Sequence, residues 1–159
     1  RREHLGVIFQ SFNLVESLDV CANIALPLKL AGSPVDRERL DRLLDILGIS
    51  AKRKALPQHL SGGERQRVAV ESALVAKADV VLADEPTGHL DMEASARLCE
   101  TLSSLNRVEK SAILLVTHDP MVAAYANKVH FMKGGRICAS LEAMHDASEI
   151  SKAYLEFCR

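Results

Sequence analysis

The sequence predicts an α/β domain built on a central parallel sheet, and three observations carry that reading. Leu5-Gly6-Val7-Ile8-Phe9, Val80-Val81-Leu82-Ala83 and Ile113-Leu114-Leu115-Val116 are short apolar runs without polar alternation, the pattern of strands that helices cover on both faces. Each run ends in a polar group: Gln10, Asp84-Glu85 and Thr117-His118-Asp119. In open α/β sheets ligands bind at that C-terminal edge. The stretches between the runs have helical rather than alternating patterning.

After the first strand, Ser33-Pro34 reads as an N-cap and a first-turn proline. Leu40, Leu43, Leu44 and Leu47 then fall at helical spacing before Gly48 stops the helix. Residues 53–59 form a basic, proline-containing connector. Ser61-Gly62-Gly63-Glu64 has the spacing of a capping box and opens a helix predicted to run to about Lys77. Past the second strand, a helix follows Asp91 with Leu98, Leu102 and Leu105 on one face, and another follows Asp119-Pro120. Val129 to Met132 and Arg136 to Ala139 flank Lys133-Gly134-Gly135 and predict a hairpin. A last helix is expected from about Leu141 to Phe157.

Composition narrows the class. A length of 159 residues suits a single domain, with 48% hydrophobic and 26% charged residues, as in folded proteins. Lys plus Arg number 20 against 21 Asp plus Glu, a formal net charge of −1, which argues against a nucleic-acid partner. The short basic stretch Lys52-Arg53-Lys54 reads as a solvated face. Apolar runs such as Ala112 to Val116 fall far short of the about 20 residues of a membrane-spanning helix. Cys21, Cys99, Cys138 and Cys158 include no Cys-x-x-Cys pair, so neither a zinc site nor a disulfide framework is expected, but reduced thiols of the cytosol. The chain begins Arg1-Arg2-Glu3-His4, without Met or a signal run, and is expected to be a fragment.

Two segments carry chemistry. Asp84-Glu85 at the end of an apolar strand can divide the work of phosphoryl transfer: one carboxylate holds a hydrated Mg²⁺ and the other orients or deprotonates an attacking water. An idle, solvated acidic pair before the Pro86 turn accounts for the same residues equally well. Ser61-Gly62-Gly63-Glu64 is more specific. A capping box explains Ser61 and Glu64 but not the glycines, which cost conformational entropy in a first turn. Missing Cβ atoms beside free N–H groups and a helix dipole suit the close approach of a phosphate.

With these residues in view, Leu60-Ser61-Gly62-Gly63-Glu64-Arg65-Gln66-Arg67 resembles the signature motif of ABC-type ATPases. Val80 to Thr87 is similar to their Walker B segment, Gly88-His89-Leu90-Asp91 to the D-loop, Val116-Thr117-His118-Asp119 to the switch-histidine segment, and Phe9-Gln10 to the Q-loop. These elements occur in the family's order from Gln10 to about Ile137. Gln10-Ser11-Phe12-Asn13-Leu14, Asn23 to Leu28 and Ala83 to Gly88 resemble one branch, which contains the ATPases of lipoprotein-release, macrolide-export and related cell-division systems.

The resemblance implies a P-loop NTPase fold of the ABC type: a mostly parallel core of residues 1–14 and 79–159 with a helical subdomain, 15–78, inserted. It implies ATP hydrolysis with Mg²⁺ and a membrane permease as partner, peripheral attachment to the cytoplasmic side of the inner membrane, and a second ATPase subunit, most simply a homodimer. Asp84 and Gln10 would hold Mg²⁺, Gln10 would couple the site to the permease, Glu85 would act as general base, and His118 would hydrogen-bond the γ-phosphate. Ser61, Gly62, Gly63 and Glu64 would close on a nucleotide held by the opposite subunit, with Asp91 communicating across the dimer.

The family's phosphate loop, Gly-x-x-x-x-Gly-Lys-Ser/Thr, is not in this sequence: none of its 8 glycines precedes Lys and Ser or Thr. The family carries that loop upstream of the Q-loop, so truncation is expected, with the activity belonging to the longer parent and the chain alone inactive. A soluble ABC-type ATPase acting on DNA or ribosomes, or a non-catalytic regulatory remnant, are the alternatives. Glu71-Ser72, where the family commonly has Ala-Arg, and His89, where it commonly has Asn, depart from the pattern.

Overall fold

In the computed structural model, which describes residues 5–9, 11–108, 110–142 and 146–157, the three apolar runs become the predicted parallel sheet. Strand β1 (Leu5–Ile8) lies beside β2 (Val80–Asp84), and β2 beside β3 (Ala112–Val116). Both pairings are parallel, with Leu5 opposite Val80 and Val80 opposite Ala112. The chain divides into two compact units, Arg1–Val116 and Thr117–Arg159.

In the first unit the sheet buries one face. Ile8, Val81 and Ala83 join Ile24, Leu44, Val68, Val70 and Leu98 in the core. The other face is apolar but open: Leu5, Val80, Leu114 and Val116 are 43, 37, 59 and 54% exposed. The expectation of cover on both faces is met on one face only among the described residues.

Helix α1 (Val20–Ala31) is capped by Asp19, whose Oδ1 accepts from the Ala22 N–H at 2.7 Å. It ends at Gly32, left-handed at φ 72°, and the Ser33 N–H then donates to the Leu28 carbonyl at 2.9 Å. Ser33-Pro34 therefore does not start the next helix, contrary to expectation: Ser33 is spent on closing α1. Helix α2 (Arg37–Ile46) starts instead from Asp36, whose carboxylate accepts from the Arg39 N–H at 3.0 Å. Asn23 is buried in α1 and pins the preceding loop, accepting from the Val15 N–H at 2.8 Å and donating to the Val15 and Leu18 carbonyls.

Two 3₁₀ turns, Ser50–Lys52 and Pro57–His59, lead to helix α3 (Gly62–Leu74). It stops at Leu74, short of the expected Lys77. Arg39 of α2 reaches across to bond the Leu74 carbonyl at 2.7 Å and the Val75 carbonyl at 3.2 Å, and Lys77 turns left-handed at φ 51°. Pro27 inside α1 lacks the N–H that would bond Asn23, four residues back. Ser72 of α3 supplies a replacement, donating from Oγ to the Asn23 carbonyl at 3.4 Å. Helix α4 (Met92–Val108) buries Leu98 and Leu102 and half-buries Leu105, as its spacing predicts.

In the second unit, β4 (Lys128–Lys133) and β5 (Arg136–Glu142) form the predicted antiparallel hairpin. Its tip is Gly134-Gly135, both at positive φ, 56° and 76°, as a tight primed turn demands. Helices α5 (Pro120–Ala123) and α6 (Ala147–Phe157) accompany it. Val129, Phe131, Ile150 and Ala153 form the unit's own core. The last helix begins later than expected because the hairpin claims Leu141, which pairs with Val129.

Candidate functional site

The acidic pair sits where strand β2 gives out. Asp84 is its last residue and is exposed. Glu85 follows, half-buried, with its N–H donating to the Val116 carbonyl of β3 at 2.9 Å. Its φ is 45°, in the left-handed region. A non-glycine residue there, directly before Pro86, stores backbone strain of the kind that collects at functional positions. The chain then coils tightly: the Gly88 N–H bonds the Glu85 carbonyl at 3.1 Å, and the Leu90 N–H bonds the Thr87 carbonyl at 3.0 Å. Asp91 caps α4, accepting at Oδ1 from the Ala94 N–H at 2.8 Å.

The glycine-rich turn forms the predicted capping box. Ser61 Oγ accepts from the Glu64 N–H at 3.3 Å, and Glu64 Oε2 accepts from the Ser61 N–H at 2.7 Å. That backbone bond, with Lys52 and Arg67 nearby, holds the Glu64 carboxyl below its usual range. The two glycines differ in role. A Cβ on Gly63 would lie 3.3 Å from the His89 carbonyl oxygen and 3.6 Å from Leu90, whereas a Cβ on Gly62 would meet nothing within 4 Å. Gly63 thus answers to close packing within the chain. The chain's own packing gives Gly62 no such reason, leaving its side of the helix start open to an external group.

The fold therefore brings the signature-like turn against the 86–90 coil. A second tie reinforces it: Gln66, fully buried in α3, donates from Nε2 to the Pro86 carbonyl at 2.8 Å. Gln66 is a functional position that no motif assigns. Its signal is a polar residue at a core position of an otherwise apolar helix face. Phe12 adds an aromatic tie: its ring meets that of His89 at 5.0 Å between centroids, tilted by 59°.

His118 belongs to the second unit, exposed in the bend between Thr117 and Asp119. The Asp119 N–H donates to Thr117 Oγ1 at 3.1 Å, and Asp119 caps the following turn through the Met121 N–H. Gln10 lies outside the described residues. A cavity of about 560 Å³ between α2 and α4, lined by Arg39, Arg42, Leu43, Ile46, Leu105 and Val108 among others, contains none of the predicted site residues.

Among the described residues no three His, Cys, Asp or Glu side chains converge as a metal cage. No helix among the described residues is long and apolar enough to cross a membrane.

The family model described as "ABC transporter" matches residues 1–88. The ABC transporter ATP-binding protein YxdL of Bacillus subtilis is 43% identical over 139 residues, covering 86% of this chain and 54% of that protein. The macrolide export ATP-binding/permease protein MacB of Rhodopseudomonas palustris is 42% identical over 141 residues, 87% of this chain and 21% of that protein. The dimeric, post-hydrolysis ATP-binding cassette MJ0796 bound to ADP and Pi superposes with a TM-score of 0.84 at 30% identity, covering 91% of this chain and 65% of the cassette. The chain thus spans about half the length of YxdL.

Proposed function

Because this chain belongs to the ABC transporter ATP-binding family, we propose that it is the larger part of a subunit that hydrolyses ATP to drive a separate membrane permease, in export or lipoprotein release. The observation that carries this reading is the close approach of Gly63 to the His89 carbonyl, where an added Cβ would lie 3.3 Å away, in the coil that follows the C-terminal end of β2. It sets an anion-ready helix start against the coil that directly follows both carboxylates.

In this reading Asp84 and Gln10 hold Mg²⁺, which when bound neutralises phosphate charge. Glu85 orients the attacking water and takes its proton, a task suited to a half-buried carboxylate fixed by its own backbone. Ser61, Gly62 and Gly63 present N–H groups and the helix dipole to the γ-phosphate of a nucleotide on a second copy, with Glu64 holding that turn in shape. His118 hydrogen-bonds the γ-phosphate, and Asp91, at the head of α4, relays across the dimer. Residues 15–78 act as the helical subdomain and 1–14 with 79–159 as the core. The subunit sits on the cytoplasmic side of the membrane through its permease.

The open face of the sheet supports a further segment in the longer protein. Parallel sheets are normally covered on both sides, and Leu114 and Val116 are 59 and 54% exposed here. We assign that cover to the part carrying the phosphate loop.

The test is ATP turnover by the whole protein reconstituted with its permease, compared with Glu85→Gln. Turnover in the parent, with loss of turnover and a stable nucleotide-bound dimer in the variant, is expected. Absence of hydrolysis in the parent, or undiminished turnover in Glu85→Gln, overturns the reading.

A further inference from the structure

Three segments meet at one residue. The first is the stretch after Gln10, represented by Phe12. The second is the 88–91 coil, and the third is the start of α3. His89 lies beside both of the others: its ring pairs with that of Phe12 at a 5.0 Å centroid distance, within the range of favourable aromatic pairs. Its carbonyl oxygen lies 3.3 Å from the position a Gly63 Cβ would take. Those two contacts leave from opposite ends of one residue, ring and backbone.

The coil holding His89 has little freedom to absorb a push. The Gly88 and Leu90 N–H groups are engaged by Glu85 and Thr87, Thr87 is buried, and Gln66 ties Pro86 to α3 at 2.8 Å. A displacement of Phe12 therefore has a short path to Gly63 through His89. An asparagine at position 89 would have no ring to lay on Phe12.

We propose that His89 is a positioning residue that transmits movement of residues 11–13 to the start of the signature helix, so that engagement of the permease near Gln10 sets the placement of Gly63. The assignment of a permease rests on the function proposed above; the mechanical link does not. The link requires three things: Phe12 must move the environment of Gly63, it must do so through His89, and a ring at position 89 must suffice.

The experiment follows the Gly63 backbone amide by NMR in the ¹⁵N-labelled whole protein. Phe12→Leu is expected to shift that amide in the parent and in His89→Phe, and to leave it unmoved in His89→Asn. Equal responses in all three backgrounds, or none in any, overturn the proposal. Turnover with the permease supplies the functional reading. His89→Asn should lower kcat by about three- to tenfold with KM for ATP within about twofold, and His89→Phe should restore most of it, as expected when binding is intact and only the reacting geometry is lost. A parent that hydrolyses no ATP sinks the proposed function, while the amide shifts still decide the link.

Discussion

Gln66 in α3 and Pro86 behind the acidic pair share a fully buried hydrogen bond, Nε2 to carbonyl oxygen at 2.8 Å. Gln66 Oε1 has no protein partner, so the side chain is retained for its donor. Gln66→Leu keeps the bulk but strands the Pro86 carbonyl, and a buried orphan acceptor costs about 1–3 kcal/mol. The urea midpoint should fall accordingly, with the slope unchanged.

Glu71 is a carboxyl with 0% exposure and neither oxygen bonded to protein. Burial, only partly offset by Arg67, pushes its pKa from 4.5 to about 8. A carboxyl raised on folding binds its proton more tightly in the native state. Its neutral form is tolerated below the unfolded pKa, and stability falls as pH rises from about 4.5 towards about 8. Glu71→Gln should flatten that decline, gaining on the order of a few kcal/mol at pH 8 and little at pH 4. Thermal melts of both proteins across that interval check it; parallel curves would rule the buried acid out as the cause.

Gly6 of β1 leaves no room for a side chain, because a Cβ there would lie 2.7 Å from the Ala73 carbonyl oxygen of α3. The obstacle is backbone, so Gly6→Ala must push strand and helix apart. A loss of about 1–3 kcal/mol is expected from such overpacking, read from chemical denaturation. Gly62→Ala, with nothing within 4 Å, should leave folding nearly untouched while weakening nucleotide-dependent dimerisation of the whole protein.

Glu85 combines the proposed base with a φ of 45°. Glu85→Gln keeps the side-chain shape and should cut turnover by about 10²–10⁴-fold with little change in melting temperature. Glu85→Gly should also abolish turnover but raise the melting temperature, since glycine occupies the left-handed region without strain. Calorimetry on the two variants separates the chemical from the conformational contribution.

The strands were legible because buried parallel strands are nearly uninterrupted apolar runs, and Val80 to Ala83 or Ile113 to Val116 leave few other readings. The capping box was legible because its partners lie within one turn. Errors arose where two neighbouring motifs competed for the same residues. Ser33-Pro34 resembles a helix start, but the N–H of Ser33 is used to close α1, and Asp36 three positions later is free to cap α2. Leu141 suited an apolar helix face until a hairpin partner, Val129, was available. At the site, the carboxylates and the glycines could be picked out by type and spacing. The Glu85 φ, the Gln66 to Pro86 bond and the Phe12 to His89 stacking could not, because each depends on where distant segments come to rest. Ser72 is a similar case: its partner is a carbonyl that Pro27, far away in sequence, leaves vacant.

The outer edge of β3 pairs with no other strand among the described residues. It runs beside an apolar surface that includes Leu114 and Val116. A straight row of backbone donors and acceptors next to exposed aliphatic side chains is a template on which another extended chain can grow. As a purified polypeptide the chain should therefore be self-adhesive, with solubility falling as concentration rises, and in a cell it would be bait for chaperones that bind extended apolar segments. A charged side chain at Leu114, which is 59% exposed, should quiet both tendencies.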